Sequence, residues 1–448
     1  MINPIQKKYR DYFLESDLKQ IARLKPDILI RFGFRILSGP ILNLPHLGIW
    51  SFHHGDPQIY RGGPPAFWEV IRQIPATGCV LMQLNEDLDQ GKVLYQTHTQ
   101  TDPLSVQRNA NKLFWMSSFF PLRVLKEIDR IGADRWKERI EKKSIAPPSP
   151  LWKNPKSFEL TKGLGNLFLR NLKRKLLEIK YPAHWEVGLV STLPLSNQVI
   201  SKQEINFFTN SEPSTTYFAD PFPFFHQGKL MFFAELFDKK KGKGNIALLN
   251  EEGNHQVILE KPYHLSYPFL WEEDGNYYLL PESAEAGQIM VYRSTNFPFS
   301  WDKTQILFPE EAYDPTLWKT EQGYWLFVNQ KCHPACSPFD ELNLYFSPSL
   351  VKAKWTPHPK NPIVSDVRGA RPAGRLFEKD GKLFRPAQDS ERRYGHRIRV
   401  MEIKKLDLYE YLEEEAFHVE PDETSGILGI HTLNQVGDHW IMDFYSRK

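Results

Sequence analysis

The chain has 448 residues, of which 41% are hydrophobic and 25% charged, the balance of a soluble protein with two or three domains. Its net charge of +3 is too small to indicate a nucleic-acid partner, and its three cysteines form no disulfide framework. Cys332, His333 and Cys336 are too few ligands for zinc, so no metal site is predicted. The sequence shows neither a signal peptide nor a run of ~20 apolar residues, which predicts a cytoplasmic protein without a membrane span.

The first third of the chain predicts an α/β domain. Apolar runs of strand length alternate with stretches that carry apolar residues at helical spacing. The predicted strands are DILIRFGF (27–34), GIWSFHHG (48–55) and the two apolar parts of GCVLMQLNEDLDQGKVLYQ (78–96). The predicted helices are ILSGPILNL (36–44), GPPAFWEVIRQI (63–74) and residues 104–132.

Two polar residues at the ends of these strands could carry acid–base chemistry. His53 lies at the end of the second strand, and Asp89 lies in the tight Leu-Asp-Gln-Gly loop after the third. A histidine and an aspartate brought to one sheet edge can relay protons. Polar residues are common at strand ends, so the spacing alone leaves a solvated, non-functional pair as the alternative.

The residues around this pair resemble the folate-dependent formyltransferases that act on methionyl-tRNA, glycinamide ribonucleotide and nucleotide sugars. The family pattern is Asn-x-His, a proline, Arg-Gly, and a strand leading to Leu-Asp-x-Gly. Here it appears as SFHHGDPQIYRGGPP, followed by TGCVLMQLNEDLDQGKVLY. The resemblance covers about residues 18–130. It implies a Rossmann-type domain with N10-formyltetrahydrofolate as the formyl donor.

The resemblance also implies roles for individual residues. His53 would polarise the formyl group and help stabilise the tetrahedral intermediate. Asp89 would hold His53 in its useful protonation state and help to remove the proton from the attacking amine. The pterin pocket would be lined by the backbone of Leu84, Asn85, Glu86 and Asp87, up to Asp89.

The chain departs from the family pattern in two places. Ser51 is a candidate catalytic residue where the family has an asparagine that donates to the developing oxyanion, and losing such a donor typically lowers the rate ~10²–10³-fold. Only about 25 residues precede the strand at Asp27, where the family domain has further strands and helices. Three explanations stay open: a truncated N-terminus, a degenerate domain, or completion by a second chain.

A middle segment follows this domain, which we place at residues 1–132. IAPPSPLWKNPKS (145–157) is proline-rich and typical of a linker, and LGNLFLRNLKRKLLEIK (164–180) is basic and amphipathic. A packing helix is favoured over a helix on an anionic surface. We therefore predict a linker and helix over residues 133–183 and another domain over residues 184–448.

The last domain contains five copies of one plan. Each copy has a short strand that starts at a polar or aromatic residue, a glycine turn and an aromatic strand. The starting residues, called the anchors below, are Asp220, Tyr267, Asp314, Arg371 and His431, spaced by 47, 47, 57 and 60 residues. This repeat length is that of a four-stranded blade and predicts an all-β five-bladed propeller. The last copy ends early, so HWEVGLVS (184–191) is predicted to complete it and close the ring.

The anchors predict a pocket, because they open the innermost strands and should converge at one mouth of the channel. The second strands end in residues that would form an outer ring, namely Glu235, Glu282, Asn329, Gln388 and Asp443. Glu282 is expected to lie too far out to act as an acid. Arg371, near two aspartates, is expected to keep both ionised. Solvation of strand ends is the alternative for the outer ring.

The repeats resemble two groups of propellers. HLSYPFLWEEDGNYYLLPES and ARPAGRLFEKDGKLFRPAQDSERRYGHRI resemble the N-terminal propeller of plant glucosamine inositolphosphorylceramide transferases. The general plan is similar to arabinanase and invertase propellers, in which aspartates of blades one and three and a glutamate of blade four act on glycosidic bonds. Asp220 and Asp314 match the two aspartates, but Arg371 stands at the third position and cannot be a general acid. The resemblance implies carbohydrate binding.

The whole sequence favours an enzyme. The leading hypothesis is a formyltransferase that moves a formyl group from N10-formyltetrahydrofolate to an amino sugar, with the propeller binding a nucleotide sugar or glycan. One alternative is a non-catalytic glycan-binding protein with a relic transferase half. Another is a glycan-cleaving propeller that uses Asp220, Asp314 and Glu282. The sequence does not determine the sugar, the oligomeric state or whether the transferase half is active.

Overall fold

The computed structural model describes residues 4–143, 149–180, 183–191 and 195–447. The chain divides into two compact units, one formed by Met1–Leu172 with Cys332–Ser337 and the other by Lys173–Lys331 with Pro338–Lys448. Residues 145–148 of the expected linker lie outside the described residues. No helix in the described ranges is long and apolar enough to cross a membrane.

A four-stranded sheet forms the centre of the first unit. Its strands, in spatial order, are Leu29–Ile30, Ile49–His53, Ala76–Gln83 and Lys92–Gln100. The first two strands are parallel, and the remaining pairs are antiparallel. The two middle strands are buried on both faces, which fits their almost unbroken apolar sequence. The α/β prediction is confirmed, although the first strand is much shorter than the expected 27–34.

Helices and short strands complete the first unit. The helices are Glu15–Arg23, Phe67–Arg72, Val106–Ser117, Phe120–Ile131 and Ala133–Glu141, with a 3-10 turn at Pro40–Asn43. The helix Ser157–Lys180 begins in this unit and continues past its last residue, Leu172. The short strands are Ile5–Lys7, Arg10–Tyr12, Ile36–Leu37, Arg61–Gly62 and Leu151–Trp152. Trp136 and Ile140 share a buried apolar cluster with Trp50. Residues 133–141, expected in the linker, are therefore part of this unit, whose boundary falls at Leu172 instead of 132.

The second unit is a five-bladed β-propeller. Blade 1 consists of Thr216–His226, Lys229–Asp238, Lys243–Leu249 and His255–Leu259. Blade 2 consists of Ser266–Glu273, Asn276–Glu282, Ile289–Asn296 and Ser300–Phe308. Blade 3 consists of Tyr313–Thr320, Gly323–Asn329, Glu341–Ser347, Thr356–Pro357 and Val364–Ser365. Blade 4 consists of Arg371–Pro372, Phe377–Lys379, Lys382–Asp389, Arg397–Leu406, Tyr411–Pro421 and Gln198–Ile200.

Blade 5 combines strands from the two ends of this unit. Its strands, from the innermost outward, are Ile427–Val436, His439–Arg447, Ala183–Val190 and Ile205–Phe207. Ala183–Val190 pairs with His439–Arg447 along its whole length, in antiparallel register. The predicted ring closure is therefore confirmed. The outermost strand was not predicted, because three residues are too few to show a pattern.

A bulge recurs where the anchors lie. The strand register shifts at this point in blades 1, 2, 3 and 5. Asp220, Tyr267 and Asp314 have φ angles of 48°, 46° and 48°, which non-glycine residues rarely adopt. Their backbone N–H groups donate to carboxylates, Asp220 to Asp443, Tyr267 to Asp220 and Asp314 to Glu282. These hydrogen bonds help to hold the unusual conformation, which directs the anchors into the centre of the propeller.

Candidate functional site

The first unit brings His53 and Asp89 together, as the sequence predicts. Nδ1 of His53 lies 3.5 Å from Oδ2 of Asp89, and both side chains are largely buried. The same carboxylate oxygen accepts a hydrogen bond of 2.9 Å from the backbone N–H of Gly62. The distance of 3.5 Å exceeds that of a direct N–H···O bond, as is common for acid–base pairs before a substrate binds. The pair can exchange a proton with a group that approaches both atoms.

The other imidazole nitrogen of His53 is enclosed. Nε2 is buried and has no hydrogen-bond partner among the described residues. A Cβ atom at Gly55 would lie 2.9 Å from this nitrogen and 2.8 Å from the hydroxyl of Tyr60, so only glycine fits there. Tyr60 donates a 2.6 Å hydrogen bond to Glu69, and burial raises the pKa of Glu69 to about 7. His53 therefore rests on a rigid buried network.

Ser51 and His54 lie on opposite faces of the same strand. Ser51 shares the face of His53 because side chains alternate, and its hydroxyl makes only a long 3.4 Å contact with the carbonyl of Phe52. Nε2 of His54 lies 3.0 Å from the hydroxyl of Ser117 on the other face. Burial, together with the charge of His53, lowers the pKa of His54 to about 4. His54 is thus a neutral packing residue at neutral pH.

Arg31 is a charged residue beside this pair that the sequence did not single out. It follows the strand Leu29–Ile30, and its N–H donates to the carbonyl of Trp50, so it lies next to Ser51 across the parallel strands. Its Nε is buried without a partner among the described residues. Burial lowers the pKa of Arg31, and the charges of Asp89 and Asp11 oppose this shift. A cation within the predicted apolar strand 27–34 was the available signal, but chain spacing does not reveal parallel neighbours.

The predicted pterin-lining loop is well ordered by its own side chains. Asn85 donates to the carbonyl of Gln90 at 2.9 Å and accepts from the N–H of Asp87 at 3.0 Å. Glu86 accepts from the N–H of Gly39 and pairs with Arg10, and the N–H of Leu84 donates to Ile49. Most of the polar side chains of this segment are occupied in these contacts. Its role toward a pterin stays a prediction that would depend on backbone groups.

The second unit contains a cavity of about 160 Å³. It is lined by Trp185, Tyr217, Ala219, Asp220, Glu235, Phe237, His264, Ser266, Glu282, Arg371, Tyr394 and His431. Three of the five anchors, Asp220, Arg371 and His431, therefore meet there. Tyr267 and Asp314 do not line it. The hydroxyl of Tyr267 donates to the carbonyl of Gly374 at 3.0 Å, and Asp314 is covered by Arg371.

A histidine links two aspartates at the cavity. Nε2 of His431 lies 3.4 Å from Asp220, and Nδ1 lies 2.6 Å from Asp443. Burial would lower the pKa of His431, but the charges of Asp443 and Asp220 outweigh it and raise the pKa. Burial raises the pKa of Asp220 to about 6, and the charge of His431 opposes this shift. The three residues bring ligand atoms within 4.8 Å of one another, close enough for a metal ion. Both imidazole nitrogens already face carboxylates, so the structure explains this group as an ion-pair chain.

Arg371 neutralises the opposite side of the cavity. It forms two hydrogen bonds with Asp314, one of them 3.1 Å long, and lies 3.5 Å from Glu282. Its guanidinium carbon lies 4.7 Å from the ring centre of Phe339 and 5.2 Å from that of Tyr394. Burial would lower the pKa of Arg371, but the charge of Asp314 and its neighbours raises it instead. Arg371 is therefore a permanent cation.

Two expectations about this site were wrong. Glu282 lines the cavity and contacts Arg371, because the blades converge where their second strands end. Arg371 pairs with Asp314 and Glu282, so it does not keep Asp220 ionised, and burial raises the pKa of Asp220. Of the expected outer ring, Glu235 and Glu282 face the cavity. Asn329 and Gln388 instead donate to the backbone carbonyls of Glu341 and Pro372.

We expect Glu235→Gln to flatten the pH dependence of propeller stability. Burial and the charges of Asp220, Asp443 and Asp314 raise the pKa of Glu235 well above its ordinary 4.5. The unfolded chain loses this proton first, so the free energy of unfolding of the parent falls as the pH rises above 4.5. Glutamine has no proton to lose, so the variant should be the more stable protein at pH 8 and differ little at pH 4.5. Urea unfolding at both pH values, with the exposed Glu414→Gln as control, measures this, and equal pH slopes in parent and variant would contradict it.

The fold and the two sites define a protein with a formyltransferase-like α/β unit and a five-bladed propeller whose cavity is lined by charged and aromatic side chains. A family model described as "Glucosamine inositolphosphorylceramide transferase 1, N-terminal" matches residues 176–428, and one described as "Formyl transferase" matches residues 6–112. The first match covers more than half of the chain. The chain therefore belongs to the glucosamine inositolphosphorylceramide transferase 1 N-terminal family.

Individual relatives match the two parts separately. Glucosamine inositolphosphorylceramide transferase 1 of Arabidopsis thaliana is 34% identical over 230 residues, which is 50% of this chain and 30% of the relative. Methionyl-tRNA formyltransferase of Prochlorococcus marinus (strain NATL2A) is 34% identical over 110 residues, 24% of this chain and 33% of the relative. The chain thus spans about a third of the length of these curated relatives.

Solved structures also resemble part of the chain. The catalytic domain of a Coprinopsis cinerea GH62 alpha-L-arabinofuranosidase has 12% identity and a TM-score of 0.39, covering 59% of this chain and 98% of that one.

Proposed function

We propose that the first unit transfers a formyl group from N10-formyltetrahydrofolate to the amine of an amino sugar, and that the propeller binds the sugar or the glycan that carries it. The observation that carries the proposal is the His53–Asp89 pair, 3.5 Å apart on buried supports, within the segment matched by the formyl transferase family. The propeller's match to a family named for glucosamine transfer supports the sugar as acceptor.

The chain's own groups have clear tasks in this reaction. When bound, N10-formyltetrahydrofolate would supply the formyl group: the formyl carbon would gain a bond to the amine nitrogen and lose its bond to N10, and the proton lost by the amine would end on N10. Asp89 would accept the proton that the amine loses. The backbone N–H of Gly62 donates to the Asp89 carboxylate and stabilises its ionised form before the transfer. His53 would donate to the formyl oxygen as negative charge develops there. The buried Nε2 of His53 and Nε of Arg31, both without partners among the described residues, fit a site that is completed by a ligand.

Arg31 would compensate for Ser51, which stands where the formyltransferase family has an asparagine. A serine hydroxyl is shorter than an asparagine amide and reaches less far toward the developing oxyanion. Arg31 directly follows the neighbouring strand beside Ser51, its Nε is buried, and the charge of Asp89 acts on its guanidinium. A charged donor in a water-poor site stabilises an oxyanion more strongly than a neutral one. The proposal therefore assigns oxyanion stabilisation to His53, Ser51 and Arg31 together.

We expect His53→Ala to lower formyl transfer to amino sugars by about 10²–10⁴-fold while leaving the binding of a non-reactive formyltetrahydrofolate analogue nearly unchanged. The imidazole acts on the reacting atoms, whereas the folate contacts are assigned to backbone groups. The measurements are product formation with radiolabelled formyl donor and calorimetric titration with the analogue. His54→Gln is the matched control, because it removes the neighbouring imidazole on the other face.

A correctly folded parent that fails to bind the analogue would favour the alternative, a glycan-binding protein with a relic transferase half. Binding of the analogue with equal transfer by parent and His53→Ala would show that another residue performs the chemistry.

Binding without cleavage is the role we propose for the propeller. Glycoside hydrolysis needs a protonated acid at the leaving oxygen and a second carboxylate. Asp314, one of the matching aspartates, is paired with Arg371, which cannot give up a proton. The remaining carboxyls with a raised pKa, Glu235 and Glu282, keep hydrolysis as the second alternative. A cytoplasmic location and completion by a second chain stay predictions.

A further inference from the structure

We propose that the propeller cavity binds a small polyhydroxylated ligand that carries one protonated amine, with Glu235 receiving the ammonium group. The inference rests on the proposed carbohydrate-binding role of the propeller, and it does not depend on formyl transfer by the first unit. It predicts that the cavity binds a sugar with a free, protonated amine more tightly than the same sugar ring without a positive charge.

Glu235 is the unmatched charge of the cavity. It lines the cavity and is only 6% exposed, and no described residue donates a hydrogen bond to it. The basic side chain beside it within the described ranges is His264, whose Nε2 lies 3.6 Å away. Burial lowers the pKa of His264, so this imidazole is neutral at neutral pH and does not balance the carboxylate. A buried carboxylate without a cation is costly, and a bound ammonium group would remove that cost.

The neighbouring carboxylates already have partners. Asp220 accepts from the hydroxyl of Thr432 at 2.7 Å and lies 3.4 Å from His431. Asp443 contacts the other nitrogen of His431, and Glu282 lies 3.5 Å from Arg371. Glu235 is therefore the carboxylate of the cavity that contacts neither His431 nor Arg371, which makes it the candidate partner for a cationic ligand.

The carboxylate of Glu235 occupies space that a larger residue on the neighbouring strand would fill. A Cβ atom at Gly244 would lie 2.4 Å from Oε1 of Glu235, so the glycine on the adjacent strand makes room for the carboxylate. Burial and three nearby aspartates raise the pKa of Glu235 well above its usual range. A cation bound beside Glu235 would lower this pKa again, so ligand binding should release a proton to the solvent.

Aromatic walls favour an organic cation over a metal ion. Trp185, Tyr217, Phe237 and Tyr394 line the cavity, and the rings of Tyr217 and Phe237 are stacked with centres 4.8 Å apart. Such rings pack against the apolar faces of a sugar ring and attract ammonium groups. The guanidinium of Arg371, which also lines the cavity, adds a donor for hydroxyl groups. The cavity of about 160 Å³ is smaller than the roughly 300–1,000 Å³ of pockets for drug-sized ligands, which fits one sugar residue rather than an extended chain.

The test is calorimetric titration of the full chain at pH 7 with glucosamine, N-acetylglucosamine and glucose. We expect glucosamine to bind at least about tenfold more tightly than the two neutral sugars, since a charge-assisted hydrogen bond is lost in each of them. Glu235→Gln should abolish this preference, and Glu414→Gln, which changes an exposed glutamate of blade 4, should leave it intact. Repeating the titration in buffers with different ionisation enthalpies should show net release of protons with glucosamine, which Glu235→Gln should reduce.

Three results would overturn the inference, and they differ in what else they affect. Equal binding of the three sugars would refute the amine preference and leave the carbohydrate-binding role standing. Absence of binding by all three sugars would refute both. Calcium binding that Glu235→Gln removes, without any sugar binding, would show that the cavity is a cation site. Urea unfolding of Glu235→Gln confirms that the variant is folded.

Discussion

Replacing Arg371 with methionine should lower the free energy of unfolding of the propeller by about 3–5 kcal/mol, the usual effect of breaking a buried ion pair from one side. The guanidinium is the cation that contacts Asp314 and Glu282, both of which are buried. Without it, these carboxylates lose their counter-charge and must bind protons to stay folded. Urea unfolding of the full chain, followed by intrinsic tryptophan fluorescence, measures the change.

The controls for this prediction distinguish burial from charge. Lys241→Met removes an exposed cation that pairs with Glu260, and it should change the stability by at most about 1 kcal/mol. Adding Asp314→Asn to Arg371→Met should recover part of the lost free energy of unfolding, because it removes one of the two buried carboxylates that Arg371→Met leaves without a cation. A loss below about 1 kcal/mol for Arg371→Met would contradict the assigned role.

Replacing residues 183–191 with a glycine–serine linker of equal length should prevent cooperative folding of the propeller. The strand fills the third position of blade 5 and buries Trp185, Val187 and Val190. Each buried apolar side chain contributes about 1.5–3 kcal/mol, so their sum is comparable with the roughly 5–15 kcal/mol of a whole domain. Calorimetric melting and near-ultraviolet circular dichroism of the full chain report the result.

A second linker variant provides the comparison. The same replacement at Gln198–Ile200, a three-residue edge strand of blade 4, should lower the melting temperature without abolishing the transition. Rescue of the first variant by a synthetic peptide of residues 183–191 would support ring closure directly. An unchanged melting transition after loss of residues 183–191 would contradict it.

The propeller was predictable because its information is repeated. A polar anchor, a glycine turn and an aromatic strand recur five times, so an error in one copy is corrected by the others. The first unit offers no such redundancy. Its strand at 27–34 shrinks to Leu29–Ile30, because the chain turns away at Gly33, whose φ is 73°. A local apolar pattern cannot show where a parallel partner ends.

The sequence predicted which polar residues lie near the ends of strands, but it did not predict how the chain brings their side chains together. His53 and Asp89 meet although the pairing is antiparallel: Gln83, after which the loop of Asp89 begins, lies opposite Trp50, so the loop returns toward the other end of the strand to reach His53. Arg31 was missed because its neighbour across the parallel strands is distant in sequence. Tyr267 has the anchor backbone geometry, yet its ring turns into the core, since the bulge sets backbone direction while packing sets the rotamer. Glu282 lies nearer the centre than expected because the blades converge where their second strands end. The order of strands along the chain does not show this convergence.

The closure of the ring also has a consequence during synthesis on the ribosome. The hydroxyl of Ser446 hydrogen-bonds to Glu186 across 260 positions of sequence, so Ala183–Val190 emerges long before the strand that covers it. At about 5–20 residues per second, that edge waits on the order of 10–50 seconds with its backbone groups unpaired. Exposed strand edges recruit other chains, so this interval is when the nascent protein is most open to misassembly and to capture by chaperones. Slower translation of blades 1 to 4 would lengthen it, and the yield of soluble protein should fall accordingly.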